Sequence, residues 1–179
     1  QAVFGWLETE TGLYLTYVGL VMVVVQGALI GRVVKRIGES GTMVTGVFVN
    51  MVGLAAMGVV PLIAAQMGYS LIVPEGTVNW VGLLALGLGG LGLAAGNGFL
   101  NASMGSIISQ TSSKDEQGVN MGVRESAGAL ARIFGPIIAA PVFRFIGPSA
   151  PMLMGALFGA ANLYLLMGVV KTVRERGVR

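Results

Sequence analysis

Long uncharged runs, separated by short polar or charged segments, dominate the chain. No charged residue occurs from Gly12 to Ile30, and at 1.5 Å per residue these nineteen residues nearly span a hydrocarbon core of about 30 Å. Four further apolar stretches follow. The pattern predicts helices over 12–34, 42–66, 80–110, 118–147 and 152–170. We therefore expect an all-α fold, a polytopic transmembrane helix bundle of five spans.

The overall composition agrees with a membrane location. Hydrophobic residues make up 54% of the 179 residues and charged residues 11%, and the mean hydropathy is +0.80. Because a soluble domain carries about 25% charged residues, we expect an integral membrane protein that contacts the lipid bilayer. Glycines four residues apart, such as Gly92 and Gly96 or Gly118 and Gly122, allow close approach of neighbouring helices in lipid.

The absence of two residue types excludes several classes of functional site. The chain has no cysteine and no histidine, so it supplies no thiol nucleophile, disulfide or ordinary zinc site. The sequence also offers no visible pair of nucleophile and base and no cluster of metal ligands. We therefore expect no enzyme activity, no metal and no cofactor. A net charge of +3 does not indicate nucleic acid as a partner.

The basic residues collect on one side of the predicted membrane. Nine of them share one end of the five-span arrangement: Arg32, Lys35, Arg36, Lys114, Arg124, Lys171, Arg174, Arg176 and Arg179. Arg144 falls at the other end, together with Glu8, Glu10 and Glu75. Because cytoplasmic loops are rich in lysine and arginine, we expect the N-terminus of this chain outside and its C-terminus in the cytoplasm. A plasma or inner membrane is the expected location.

A few polar side chains interrupt the apolar helices. Five of them are candidates for lining a substrate cavity: Gln26, Asn50, Asn97, Asn101 and Arg132. Asn97 and Asn101 are four residues apart and so share one helix face. Ordinary hydrogen bonding between helices is the alternative role for the amides. Arg132, near the middle of its helix, has the alternative of a local pair with Glu125, seven residues earlier on nearly the same face.

Two motifs carry a resemblance to a known family. They are Gly31-x-x-x-Lys35-Arg36-x-Gly38, between the first two helices, and Ala131-Arg132-x-x-Gly135-Pro136, in the fourth. Together they resemble the C-terminal half of a major facilitator superfamily transporter, of the tetracycline-efflux or drug:proton antiporter type. Lys35 stands where the family motif has an acidic residue.

The resemblance implies a partial major-facilitator fold. Residues 1–179 would then be the C-terminal transmembrane half-domain of a larger transporter, helices eight to twelve, whose N-terminal half is missing from this chain. The implied function is secondary active transport of a small organic solute by alternating access, as in proton-coupled drug or metabolite efflux. The motif residues with conformational roles are then Gly31, Arg36, Gly38, Gly135 and Pro136.

A different function is compatible with the same residues. The chain would be a facilitator-like structural subunit of a larger membrane protein complex, where its helices pack against other subunits and no solute moves. Lys35, at the acidic position of the motif, motivates this alternative. Pro136 predicts a kink in the fourth helix on either view, because proline removes a backbone donor and crowds the preceding turn.

Overall fold

Helices make up nearly all of the chain that the computed structural model describes, residues 8–68 and 80–175. They are α1 (Glu8–Val24), a π-helical turn (Val25–Leu29), α2 (Ile30–Gln66), α3 (Trp80–Thr111), α4 (Gln117–Phe145) and α5 (Ala150–Glu175). The two described segments contain no strand, so the all-α prediction is confirmed. α5 continues to Glu175, beyond its predicted end at 170.

Four segments have the length and apolarity required to cross a membrane, which indicates a membrane protein. They are Gly12–Gln66, Leu84–Thr111, Gln117–Phe145 and Ala150–Gly168. The first of them contains 55 residues. In place of the turn predicted between helices 12–34 and 42–66, helical geometry runs on almost without interruption.

Gly38 is the one residue that breaks this run. Its φ of 74° and ψ of 174° lie outside the helical region. Glycine adopts a positive φ readily because it has no Cβ to clash with the neighbouring carbonyl. Helical geometry resumes directly after Gly38, and we call residues 39–66 the C-terminal arm of α2.

Contacts with α3 show that the chain folds back at this break. The hydroxyl of Tyr14 lies 3.4 Å from the carbonyl oxygen of Leu86, and Val25 packs against Gly98, so α1 and the π-helical turn run parallel to α3. The arm runs the other way. Its first residue, Glu39, accepts a 2.7 Å hydrogen bond from Ser106.

The glycine contacts of the arm confirm its direction. Gly46 packs against Gly96, and Gly53 packs against Gly89. Val25 and Gly46 therefore contact α3 two residues apart, although a straight helix would separate them by about 32 Å. α1 and the arm are antiparallel helices on the same α3.

The crossing between the arm and α3 is unusually close. A Cβ built on Gly53 would lie 2.8 Å from the carbonyl oxygen of Gly89, and one built on Gly96 would lie 2.6 Å from the backbone nitrogen of Asn50. Only residues without a side chain allow two backbones to approach this far. Thr42 and Ser103, both fully buried, belong to the same two helices.

α5 packs on the arm and α4 does not. Gly155 contacts Leu54 and Gly159 contacts Met51, so α5 is antiparallel to the arm. By contrast, no residue of α4 is buried. α4 contacts α3 near the turn that joins them, where the Gln117 amide donates to the Ser109 carbonyl at 2.9 Å.

The glycine pairs of the sequence therefore have different outcomes. Gly92 and Gly96 lie in the close crossing, as their spacing predicts. A Cβ on Gly118 or Gly122 of α4 would meet nothing within 4 Å. The same spacing thus marks a contact on α3 and an open face on α4.

Candidate functional site

Two amides meet on one backbone carbonyl at the centre of the bundle. The Nδ2 of Asn97 donates to the carbonyl oxygen of Leu93 at 3.0 Å, and the Nδ2 of Asn50 reaches the same oxygen at 3.4 Å. Asn50 stands beside Gly96, whose missing side chain brings the arm close enough for this contact. Both amides are half-buried, so their polar groups gain from having partners inside the bundle.

Asn101 extends the hydrogen bonding along α3 and across to α4. Its Nδ2 donates to the carbonyl oxygen of Asn97 at 3.0 Å, which agrees with the shared face that their spacing predicts. Its Oδ1 accepts from the guanidinium of Arg124 at 2.8 Å. A hydrogen bond to a charged donor is stronger than one between neutral groups, so this contact holds the first part of α4 against α3.

Glu125 lies between two arginines of α4. Its carboxylate oxygens are 3.7 Å from Nη1 of Arg124 and 3.8 Å from Nη2 of Arg132. The side chain of Arg124 is 22% exposed, whereas those of Glu125 and Arg132 are 65% and 73% exposed. Gly128 lies between the carboxylate and Arg132 along the helix, and a Cβ there would lie 3.7 Å from Nη2 of Arg132.

These side chains form one continuous feature, which we call the polar track. Its members are Asn50, Asn97, Asn101, Arg124, Glu125 and Arg132. It starts at the close glycine crossing, follows α3 and ends on the exposed face of α4. Two guanidiniums and one carboxylate leave it with one net positive charge.

Four of the five predicted cavity residues thus belong to the track, and Gln26 stands beside it. Gln26 lies in the π-helical turn, and its Cγ is 3.6 Å from a Cβ position on Gly98, the residue after Asn97. Its side chain is exposed. Within the described segments no hydrogen bond links it to the track. Its nearness to Asn97 nevertheless puts a third amide at the same level of the bundle.

The motif residues occupy two other places. Gly31 and Arg36 are exposed on the helix before the break, and Gly38 is the break itself. Gly135 and Pro136 lie one turn after Arg132 within α4, which is continuous through Pro136. Pro136 has no N–H to donate to the carbonyl of Arg132, so that carbonyl lacks the usual donor four residues later.

The sequence reading missed the role of Arg124. The sequence pattern places Arg124 only among the basic residues of the predicted cytoplasmic end, and it pairs Asn101 only with Asn97. The missing signal was the register of the α3–α4 hairpin. Gln117 with Ser109, Met121 with Gly105, and Arg124 with Asn101 all pair residues nearly equidistant from the turn.

A second polar cluster escaped sequence reasoning altogether. Ser106 donates to Glu39 at 2.7 Å and accepts from the Gln110 amide at 2.9 Å. It fixes the start of the arm to the end of α3. No three side chains able to bind a metal lie together in either described segment.

Comparisons of the chain with protein-family models, with curated proteins and with solved structures found no match. The polar track and the helix directions are therefore the basis for assigning a function.

Proposed function

We propose that the chain is the C-terminal transmembrane half-domain of a secondary transporter that moves a small organic solute by alternating access. The observation that carries the proposal is the polar track, which leads from the centre of the bundle to an exposed arginine and carboxylate on α4. Charged side chains at membrane depth face protein or water rather than lipid. A water-filled substrate path beside α4 meets this requirement.

The fold-back at Gly38 supports the five spans of this proposal. A straight helix of 55 residues would be about 82 Å long, far more than a hydrocarbon core of about 30 Å. Folded at Gly38, it provides two antiparallel helices of membrane length. Together with α3, α4 and α5 these make five spans, the number that the major-facilitator resemblance implies for its eighth to twelfth helices.

The orientation of the spans rests on the charges at one end of the bundle. Arg32, Lys35 and Arg36 precede the break, and Lys114 lies in the turn between α3 and α4 at the same end. Lysine and arginine favour the cytoplasmic side. The N-terminus of this chain is then outside and its C-terminus is in the cytoplasm. The proposed location of the protein is a plasma or inner membrane.

The exposed face of α4 supports a partner beyond this chain. Transporters of this architecture bind substrate near the midplane, at the interface between two halves. Arg132 is one residue past the middle of α4, so the track ends at that depth. The N-terminal half of a transporter is the partner that the resemblance implies, and export of a drug or metabolite against a proton gradient is the implied activity.

The structural-subunit alternative makes a different use of the same face. An α4 without buried residues would pack on another subunit, and the track would hold that contact together. Transport measurements separate the two functions. A structural subunit moves no solute, whereas the transporter loses its activity when the track is cut.

The test uses the full-length protein that contains this chain, reconstituted in proteoliposomes with an imposed proton gradient. Asn101→Ala removes the acceptor of Arg124 and should lower solute flux by at least about tenfold, the value of a hydrogen bond to a charged group. Asn162→Ala is the matched control, because Asn162 is an exposed amide on α5 outside the track. Equal flux in the wild-type protein, Asn101→Ala and Asn162→Ala would contradict the proposal. So would the absence of flux of any solute in the wild-type protein.

A further inference from the structure

We propose that Arg132 binds the carboxylate of an amphiphilic organic anion, and that Glu125 occupies Arg132 until this substrate displaces it. The inference rests on the proposed transport function and adds the chemical class of the solute. It is carried by the unequal surroundings of the two arginines that share the Glu125 carboxylate.

Arg124 is firmly held and Arg132 is not. Arg124 makes a 2.8 Å hydrogen bond to Asn101 in addition to its 3.7 Å contact with Glu125. The contact from Arg132 to Glu125 is 3.8 Å. Charge-assisted hydrogen bonds measure about 2.7–2.9 Å, so Glu125 offers Arg132 charge compensation without a short hydrogen bond.

The guanidinium of Arg132 is also accessible. Its side chain is 73% exposed, and its guanidinium lies over Gly128, one turn earlier, where no side chain covers it. An arginine fork matches a carboxylate with two parallel hydrogen bonds. An incoming carboxylate can therefore make better contacts with Arg132 than Glu125 does.

The neighbours of Arg132 on its helix face favour an organic ligand. The positions three and four residues away on each side are Gly128, Ala129, Gly135 and Pro136. All four are small or apolar, and none carries a charge. Next to one guanidinium they provide a shallow uncharged surface for the apolar body of an organic acid.

Net charge and depth at Arg132 disfavour two other types of ligand, a cation and a lipid phosphate. Two guanidiniums against one carboxylate disfavour a cation at this site. Arg132 lies about 23 Å along α4 from Gln117, next to the middle of the helix. Phospholipid head groups lie at the ends of such a span, so a lipid phosphate is the less suitable occupant.

The experiment measures the binding of benzoate to the full-length protein in nanodiscs of zwitterionic lipid, by isothermal titration. Wild-type protein should bind benzoate but not benzylamine. Arg132→Gln should weaken binding by at least about tenfold, since a hydrogen-bonded charge is lost. The benzoate affinity of Arg132→Lys should lie between those of wild type and Arg132→Gln, because an ammonium keeps the charge but cannot form two parallel hydrogen bonds to one carboxylate.

Glu125→Gln provides the sharper arm, because the expected change has the opposite sign. Removing the internal carboxylate should tighten benzoate binding by about twofold to fivefold, the range expected for an exposed ion pair. Arg144→Gln is the matched control. Arg144 lies on the same helix against Phe145, outside the track, and its loss should leave benzoate affinity unchanged.

Several results would overturn the proposal. The first is benzoate binding that survives Arg132→Gln, and the second is weaker benzoate binding in Glu125→Gln than in wild type. The third is a protein that binds no benzoate but is stabilised against unfolding by anionic phosphatidylglycerol, with that stabilisation lost in Arg132→Gln. Flux measurements keep the two proposals apart. Transport of a cation without benzoate binding would overturn the substrate class alone, and benzoate binding without any flux would overturn transport alone.

Discussion

Gly96→Ala should destabilise the bundle although alanine favours helices. The new Cβ would lie 2.6 Å from both the backbone nitrogen and the Cβ of Asn50, and 2.7 Å from the carbonyl oxygen of Gly46. Two of these three atoms are backbone, so no side-chain rotation relieves the clash. The arm and α3 must separate until the Cβ reaches an ordinary contact distance.

The expected size follows from two opposing effects. Overpacking a well-packed contact costs about 1–3 kcal/mol, whereas replacing glycine by alanine inside a helix contributes about 1 kcal/mol of stability. The net loss should therefore reach about 2 kcal/mol at most. Separation of the helices also moves Asn50 away from the Leu93 carbonyl, already 3.4 Å from its Nδ2. If the proposed transport function holds, solute flux should fall together with stability.

Gly87→Ala is the matched control for this change. Gly87 is on the same helix α3, and a Cβ there meets nothing within 4 Å. Its substitution should raise the stability by about 0.5–1 kcal/mol. Unfolding of the purified protein in mixed detergent micelles, followed by circular dichroism, measures both variants. Changes of the same sign in Gly87→Ala and Gly96→Ala would refute the close crossing.

Three further predictions concern single positions. Pro136→Ala should lower flux more than it lowers membrane insertion, because it restores a donor to the Arg132 carbonyl and removes the expected kink; equal losses in the two measurements would contradict this. Ser103→Ala should leave the thermal midpoint unchanged or raise it, because the Ser103 hydroxyl is buried and finds no hydrogen-bond partner among the described residues; a lower midpoint would show an unrecognised partner. Single cysteines at Ser40, which is exposed whereas Thr42 is fully buried, and at Ser112 should react with an impermeant maleimide only from the cytoplasm, and one at Thr77, which lies outside the described residues, only from the other side; labelling of Thr77 from the cytoplasm would contradict five spans.

The helices could be predicted from the sequence because the pattern that indicates each of them is local. An uncharged run of membrane length predicts a helix wherever it packs, and the starts of α3, α4 and α5 lie within two residues of the predicted ones. The i, i+4 spacing of Asn97 and Asn101 is local as well, and the hydrogen bond between them follows from it.

The contacts between helices could not be predicted in the same way. Asn50 and Asn97 share the Leu93 carbonyl only because glycines bring the arm close to α3 at that level. Arg124 reaches Asn101 only in the register that the α3–α4 turn imposes. Such pairings depend on helix rotation and register, which the period of a single helix does not contain.

The break at Gly38 could be predicted from the sequence only in part. Its position after a basic cluster predicts the end of a helix, and the structure places the break there with a positive φ. The separation of the two helices, however, takes one residue instead of the predicted turn. What identifies the fold-back is the pair of contacts that Val25 and Gly46 make at neighbouring levels of α3.

The fold-back at Gly38 is the central claim, because the proposed five spans and the assembly of the polar track both depend on it. Pulsed electron–electron double resonance tests it by measuring the distance between spin labels attached through Leu13→Cys and Leu62→Cys in the reconstituted protein. Both side chains are exposed, and this chain has no other cysteine. A reversal places the labels on two helices that flank α3 at one end, about 20 Å apart at interaxial distances of about 8–10 Å. A distance near 74 Å, the rise of an uninterrupted helix over the same residues, would contradict the account.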